Sequence, residues 1–190
     1  MKFDKDLYQT VDGWCNFQSL YEREADAHNN ANFIEIGSWK GQSAILMASL
    51  IANNDKNIKF FCVDTWQGSE EHQNDSDILN DSLFKTFLKN IEPVKDYITP
   101  IRKTSVDAAS GFPNEFFDFI FIDAAHDYEN VKNDINAWYP KLKKGGTFAG
   151  HDFHPTWSGV IQAVSEWSNQ NKKYISVEGT SWVHFKNSSS

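Results

Sequence analysis

Seven short apolar runs punctuate the chain, and the segments between them carry apolar residues at helical spacing. The runs are NFIEIG (32–37), IKFFCVD (58–64), YITPIR (97–102), FFDFIFID (116–123), GGTFAGHD (145–152), KYISVEG (173–179) and SWVHFK (181–186). In the segment before the fifth run, Val131, Ile135, Trp138 and Leu142 fall on one helix face. Ile45, Met47, Leu50 and Ile51 sit among small residues, as in a helix packed on a sheet, and Val160, Val164 and Trp167 mark another. Such alternation predicts βαβ units and an α/β fold with a mainly parallel, doubly wound sheet.

Individual runs refine this expectation. The fourth leaves almost no polar face, so its strand is covered on both sides. The third contains Pro100, which cannot donate to a ladder and therefore belongs on an edge strand or at a strand end. Glu178-Gly179-Thr180 is too short for a crossover, so the last two runs form an antiparallel hairpin. Pro140 ends the regular helix before the fifth run, Lys141, Lys143 and Lys144 suit its negative end, and Gly145-Gly146 turn the chain into the next strand. The expected organisation is one domain over residues 1–186, with a helical cap over 1–30 and an acidic, lid-like loop over 65–82. Residues 187–190 read as a frayed tail.

A chain of 190 residues suffices for one core and buries roughly 70% of its unfolded surface. No apolar stretch approaches the roughly 20 residues of a membrane span, and the first residues show no signal-like pattern, so the expected location is the cytoplasm. Cys15 and Cys62 lie far apart, and Cys62 sits inside FFCVD, which reads as a buried thiol rather than a bridge. A net charge of -8 argues against nucleic acid as the main partner. A small, sugar-like acceptor is easier to accommodate, and a homo-oligomer is compatible with the sequence.

In open α/β sheets, ligands gather outside the carboxyl ends of the strands. This chain places there Glu35, Gly37, Ser38 and Gly41, then Asp64, Thr65 and Trp66, then Thr104, Ser105 and Asp107. Asp123, Ala124, His126 and Asp127 follow the fourth strand, and His151, Asp152 and His154 the fifth. Gly37 and Gly41 permit a tight turn that brings free backbone N–H groups to an anionic or polar ligand. Asp64, closing the second strand a little over twenty residues on, stands where a carboxylate accepts hydrogen bonds from ribose hydroxyls. Trp66 is placed to cover an adenine face or to enter the core. Glu35 would repel a pyrophosphate and attract an amino group, and Trp39 stands where a dinucleotide loop has its middle glycine. The pair favours S-adenosylmethionine over a nicotinamide dinucleotide.

FIEIGSWKGQS, FCVDTWQGS and FIFIDAAHDYENVKNDINAWYPKLKKGGTFAGHDF together resemble class I S-adenosylmethionine-dependent methyltransferases. They are most similar to the small O-methyltransferase family that includes macrocin-type enzymes acting on antibiotic sugars, from about residue 32 to 165. The resemblance implies a Rossmann-like sheet of seven strands, methyl transfer to a small hydroxylated acceptor such as a sugar, Glu35 and Gly37 facing the methionine part, Asp64 the ribose and Thr104-Ser105 the adenine region. It further implies a divalent cation, magnesium or manganese, at Asp123 and Asp152. His151 replaces the acidic residue usual beside Asp152, and imidazole shifts the donor set away from magnesium. Without a metal, a general base is needed, and His126 and His151 are the candidates, with Asp123 beside them. His72 and His154 read as loop residues near the mouth. A nicotinamide-dependent oxidoreductase and a noncatalytic cofactor-binding subunit are the competing readings.

Overall fold

In the computed structural model, which describes residues 2–69 and 74–187, the apolar runs become one sheet. Its strands are β1 (Ala31–Ile36), β2 (Ile58–Asp64), β3 (Ile98–Arg102), β4 (Phe117–Ile122), β5 (Leu142–Gly150), β6 (Ser176–Glu178) and β7 (Ser181–Phe185). Their order is β3-β2-β1-β4-β5-β7-β6, so the winding direction reverses between β1 and β4. Strands β1 to β5 pair in parallel, whereas β7 lies antiparallel between β5 and β6. Pro100 is on an edge strand, as its missing N–H requires.

Two layers of helices bury the faces. On one side lie α1 (Gln18–Ala27), α2 (Gln42–Asn53) and α4 (Leu83–Ile91), packed around Phe33, Phe60, Phe119 and Phe121. On the other lie α5 (Ser105–Ser110), α6 (Tyr128–Trp138) and α7 (Ser158–Asn171), around Ile34, Ile120, Trp138 and Trp167. Every residue from Phe119 to Ile122 is at most 5% exposed, which accounts for the lack of a polar face in that run. Among the described residues no helix is long and apolar enough to cross a membrane.

Four expectations need correction. The loop after β2 is interrupted by the short helix α3 (Ser76–Leu79), capped by Asp75; its remaining part, with His72, falls outside the described residues. The apolar face of α4 follows directly, and no reading of the sequence had assigned it. Leu142 belongs to β5 and not to the helix before it, because α6 gives way at Trp138 to a 3-10 turn through Pro140. Gly145-Gly146 then lie inside β5, where the pairing with β4 shifts register between Phe117 and Phe119. The shift turns Phe117 to the α6 side while Phe119 faces α1. Cys62 is buried and free, and Cys15 is half-buried and free.

Candidate functional site

The reversal between β1 and β4 leaves their carboxyl ends diverging, and a cavity of about 1080 Å³ opens there. Gly37 makes the sharpest approach. A Cβ at this position would lie 1.9 Å from the carbonyl oxygen of Asp123, and its φ of +89° is itself unfavourable for a side chain. Gly37 thus lets β1 and β4 stay in contact to their last residues, with its N–H donating to Val63.

Asp64 organises the turn that follows. Its Oδ2 accepts the N–H groups of Ser38 (3.0 Å) and Trp39 (2.9 Å), and its Oδ1 accepts that of Trp66 (2.7 Å). Burial raises its pKa, and the backbone donors oppose that rise. Trp39 occupies the left-handed region with φ 47°, the conformation a glycine would supply, and its side chain packs against the α2–α4 core while its carbonyl accepts Trp66 Nε1. The loop therefore tolerates a tryptophan because Asp64 braces its left-handed backbone while its ring packs partly on the core and still borders the cavity. Trp66 is a correction to the sequence reading: it is 1% exposed, lies 4.5 Å from Phe84 and 4.6 Å from Phe87 between ring centroids, and does not line the cavity. Gly41 likewise serves the fold, as the left-handed residue preceding α2 against Phe87 and Ile91.

Glu35 lies behind the cavity wall. It is 1% exposed, its Oε2 accepts the Tyr21 hydroxyl of α1 at 2.7 Å, and its Oε1 is buried with no hydrogen-bond partner among the described residues. Burial pushes its pKa up to about 7, with the hydrogen bond from Tyr21 opposing the rise. A carboxyl whose pKa is higher folded than unfolded stabilises the fold at low pH and loses that contribution as pH rises from about 4.5 to about 7. Glu35→Gln is therefore expected to raise stability at pH 8 by about 2–4 kcal/mol and to leave it nearly unchanged at pH 4. Denaturant unfolding at the two pH values checks this; an equal effect at both would remove the assignment.

Four further groups converge at the other strand ends. His126 Nε2 lies 2.9 Å from Asp152 Oδ2, and its ring stacks on Trp157 with centroids 4.0 Å apart at 26°. Gly159, at the start of α7, packs so close to the His126 carbonyl that a Cβ there would approach to 2.5 Å, which fixes this loop from below. Asp152 holds a left-handed φ of 59°. His151 is 7% exposed, with Nδ1 3.3 Å from Asp152 Oδ1 and 3.6 Å from Asp123 Oδ1. Its Nε2 meets Asn16 Oδ1 at 2.7 Å and Thr180 Oγ1 at 2.8 Å.

These contacts separate the two histidines. Burial disfavours charge on His151, but the Asp123 and Asp152 carboxylates outweigh it and push its pKa up to about 10. Burial raises the pKa of Asp123, with His151 opposing. The same burial acts on Asp152, yet hydrogen bonds from His126 and His151 hold its carboxyl well below the usual range. In this structure both ring nitrogens of His151 are engaged, one by the Asp123 and Asp152 carboxylates and one by Asn16 and Thr180. The three groups whose ligand atoms all lie within 4.8 Å of one another are Asp123, His126 and Asp152.

Thr65, Thr104 and Ser105 line the cavity, with Thr104 capping α5 and Ser105 Oγ accepting Trp138 Nε1 at 2.8 Å. His154 sits exposed at its mouth. Sequence reasoning missed Trp14, Asn16, Trp157, Thr180 and Asp134, which also line it. Asn16 and Thr180 carry no local signal, since each reaches His151 across the fold. Asp134 did carry one: it follows Asp127 by two helical turns and so shares its face.

A family model described as "Methyltransferase domain" matches residues 34–153. An uncharacterized protein of Sinorhizobium fredii is 26% identical over 119 residues, 63% of this chain and 13% of that protein. Another, from Acanthamoeba polyphaga mimivirus, is 28% identical over 159 residues, 80% of this chain and 63% of that protein. The chain thus spans less than two thirds of either relative. Among solved structures, the O-methyltransferase NovP superposes with a TM-score of 0.72 at 15% identity, covering 90% of this chain and 79% of that one. An O-methyltransferase from Bacillus cereus in complex with SAH gives 0.64 at 18% identity, covering 98% and 93%. Both likenesses establish the fold.

Proposed function

Because the chain belongs to the methyltransferase-domain family, we propose that it transfers a methyl group from S-adenosylmethionine to a hydroxyl of a small, neutral acceptor such as a sugar. The observation that carries this is the Asp64 carboxylate, set at the end of β2 on the cavity wall and fixed by three backbone N–H groups. Its Oδ1 accepts only one of these, which leaves acceptor capacity for a ribose diol. The cavity is large enough for a cofactor and an acceptor together.

When bound, the cofactor supplies an electrophilic methyl group on a sulfonium. The chain has then to bind, orient and deprotonate the acceptor. His126 borders the cavity with Nε2 2.9 Å from Asp152 Oδ2, and its imidazole is the group that takes the proton of the acceptor hydroxyl as the methyl reaches its oxygen. Trp157 holds the imidazole in plane by stacking. His151, charged and clasped between two carboxylates, offsets their repulsion. Calorimetry with S-adenosylhomocysteine tests the cofactor; no binding at millimolar concentration would overturn the reading.

A second reading rests on the same cluster. Two carboxylates and an imidazole within 4.8 Å suit manganese or another borderline divalent ion better than magnesium, which favours oxygen ligands alone. Asp123, Asp152 and His126 would hold it, and the ion would lower the pKa of the acceptor hydroxyl. On this reading exhaustive chelation abolishes turnover and manganese restores it; turnover that survives chelation leaves His126 acting as the base.

A further inference from the structure

Between the 3-10 turn Leu7–Thr10 and α1, the chain forms a short strap that is held at both ends. At one end the Val11 carbonyl accepts Gln42 Nε2 at 2.7 Å, and Gly13 lies so close to the same side chain that a Cβ would come 2.9 Å from Gln42 Cβ. At the other, Asn16 Oδ1 meets His151 Nε2 at 2.7 Å, and Phe17 packs on Phe121 with ring centroids 4.5 Å apart. Asp12, Gly13, Trp14 and Asn16 border the cavity from this strap. Trp39 and Trp157 border it half-buried, whereas Trp14 keeps 68% of its surface exposed. A single exposed apolar side chain is ordinary on a protein surface. An indole carried at a cavity border between two fixed points is already in place, so a ligand that covers it costs the protein little freedom.

From this geometry we infer that Trp14 is the platform on which the acceptor rests, and that it selects an uncharged pyranoside ring by its C–H face. The inference deepens the methyl-transfer reading above and rests on it. An indole face is apolar and carries the negative side of its quadrupole, so it attracts the polarised C–H groups of a sugar ring and leaves water on contact. The strap also provides for the rest of such a ring. Asp12 and Asn16 stand two residues to either side of Trp14, and with Thr180 they border the same cavity with groups that can exchange hydrogen bonds with ring hydroxyls. Asp12 and Asp127, both exposed at the border, would repel a sugar that carries a carboxylate or phosphate.

The test adds the methyl pyranosides of glucose, galactose, mannose and rhamnose to protein saturated with S-adenosylhomocysteine, and reads binding by saturation-transfer NMR. At least one is expected to bind, with its ring C–H protons receiving the strongest transfer. Trp14→Ala is expected to weaken that binding at least ~10-fold, and Trp14→Phe, which keeps an aromatic face, by about three-fold or less. S-adenosylhomocysteine affinity should change by less than about two-fold in both variants, as for a surface substitution. Methyl glucuronide, which adds a carboxylate, is expected to bind more weakly than methyl glucoside. Absence of pyranoside binding to the loaded protein, binding that survives Trp14→Ala, or a preference for catechol over every pyranoside overturns this inference alone. Failure of S-adenosylhomocysteine itself to bind overturns the methyl-donor reading and this inference with it.

Discussion

Asp64→Ala is expected to weaken S-adenosylhomocysteine binding by roughly 10²–10⁴-fold. Two hydrogen bonds from a ribose diol to an ionised acceptor contribute about 1.5–3 kcal/mol each, and 1.4 kcal/mol is a factor of ten in affinity. The loss reaches further than the ligand. The carboxylate also accepts the N–H groups of Ser38, Trp39 and Trp66, which brace the turn and hold Trp39 in a left-handed conformation. Releasing three donors in a half-buried turn should therefore lower the unfolding midpoint as well. Asp64→Asn separates the effects, because its carbonyl oxygen can serve some of these donors while its amide opposes the others. Calorimetry and thermal unfolding on both variants check the expectation, and unchanged affinity in the alanine variant would remove Asp64 from the site.

His126→Ala is expected to lower kcat by about 10²–10⁴, the range of a positioned general base, while S-adenosylhomocysteine affinity changes by less than about three-fold. The separation follows from where His126 stands. Its contacts include Asp152 and Trp157, on the β4 and β5 side, away from the Asp64 clasp on β2. Trp157→Ala should reproduce part of the loss, because the stacked indole is what limits rotation of the imidazole. Steady-state kinetics set against calorimetry decide it: a parallel fall in kcat and cofactor affinity would mean that His126 shapes the whole cavity and not the transfer step.

The sheet was legible because its strands are short, apolar and well separated, and because Glu178-Gly179-Thr180 allows only a hairpin. Asp64 was legible for the same reason, as a polar residue closing an apolar run at a set distance from a glycine turn. Trp66 was misplaced because residue spacing puts it at a strand end without saying which way its φ of 52° sends the ring, and here that is into Phe84 and Phe87. The surroundings of His151 were not legible for a different reason. Its state is set by Asn16, Asp123 and Thr180, groups that the fold assembles from three distant parts of the chain.

The parts that meet at His151 also divide the molecule by origin. The family match runs from residue 34 to residue 153 and takes in Gly37, Asp64, Asp123, His126, Asp134 and Asp152. Trp14, Asn16, Trp157 and Thr180 border the same cavity from outside that span. The residues to which our proposal assigns the methyl donor thus lie inside the matched span, while part of the cavity wall that would face an acceptor on that proposal lies outside it. On the proposed function, exchanging residues 2–30 and 154–187 between two such chains would be expected to change the acceptor while leaving the matched span intact.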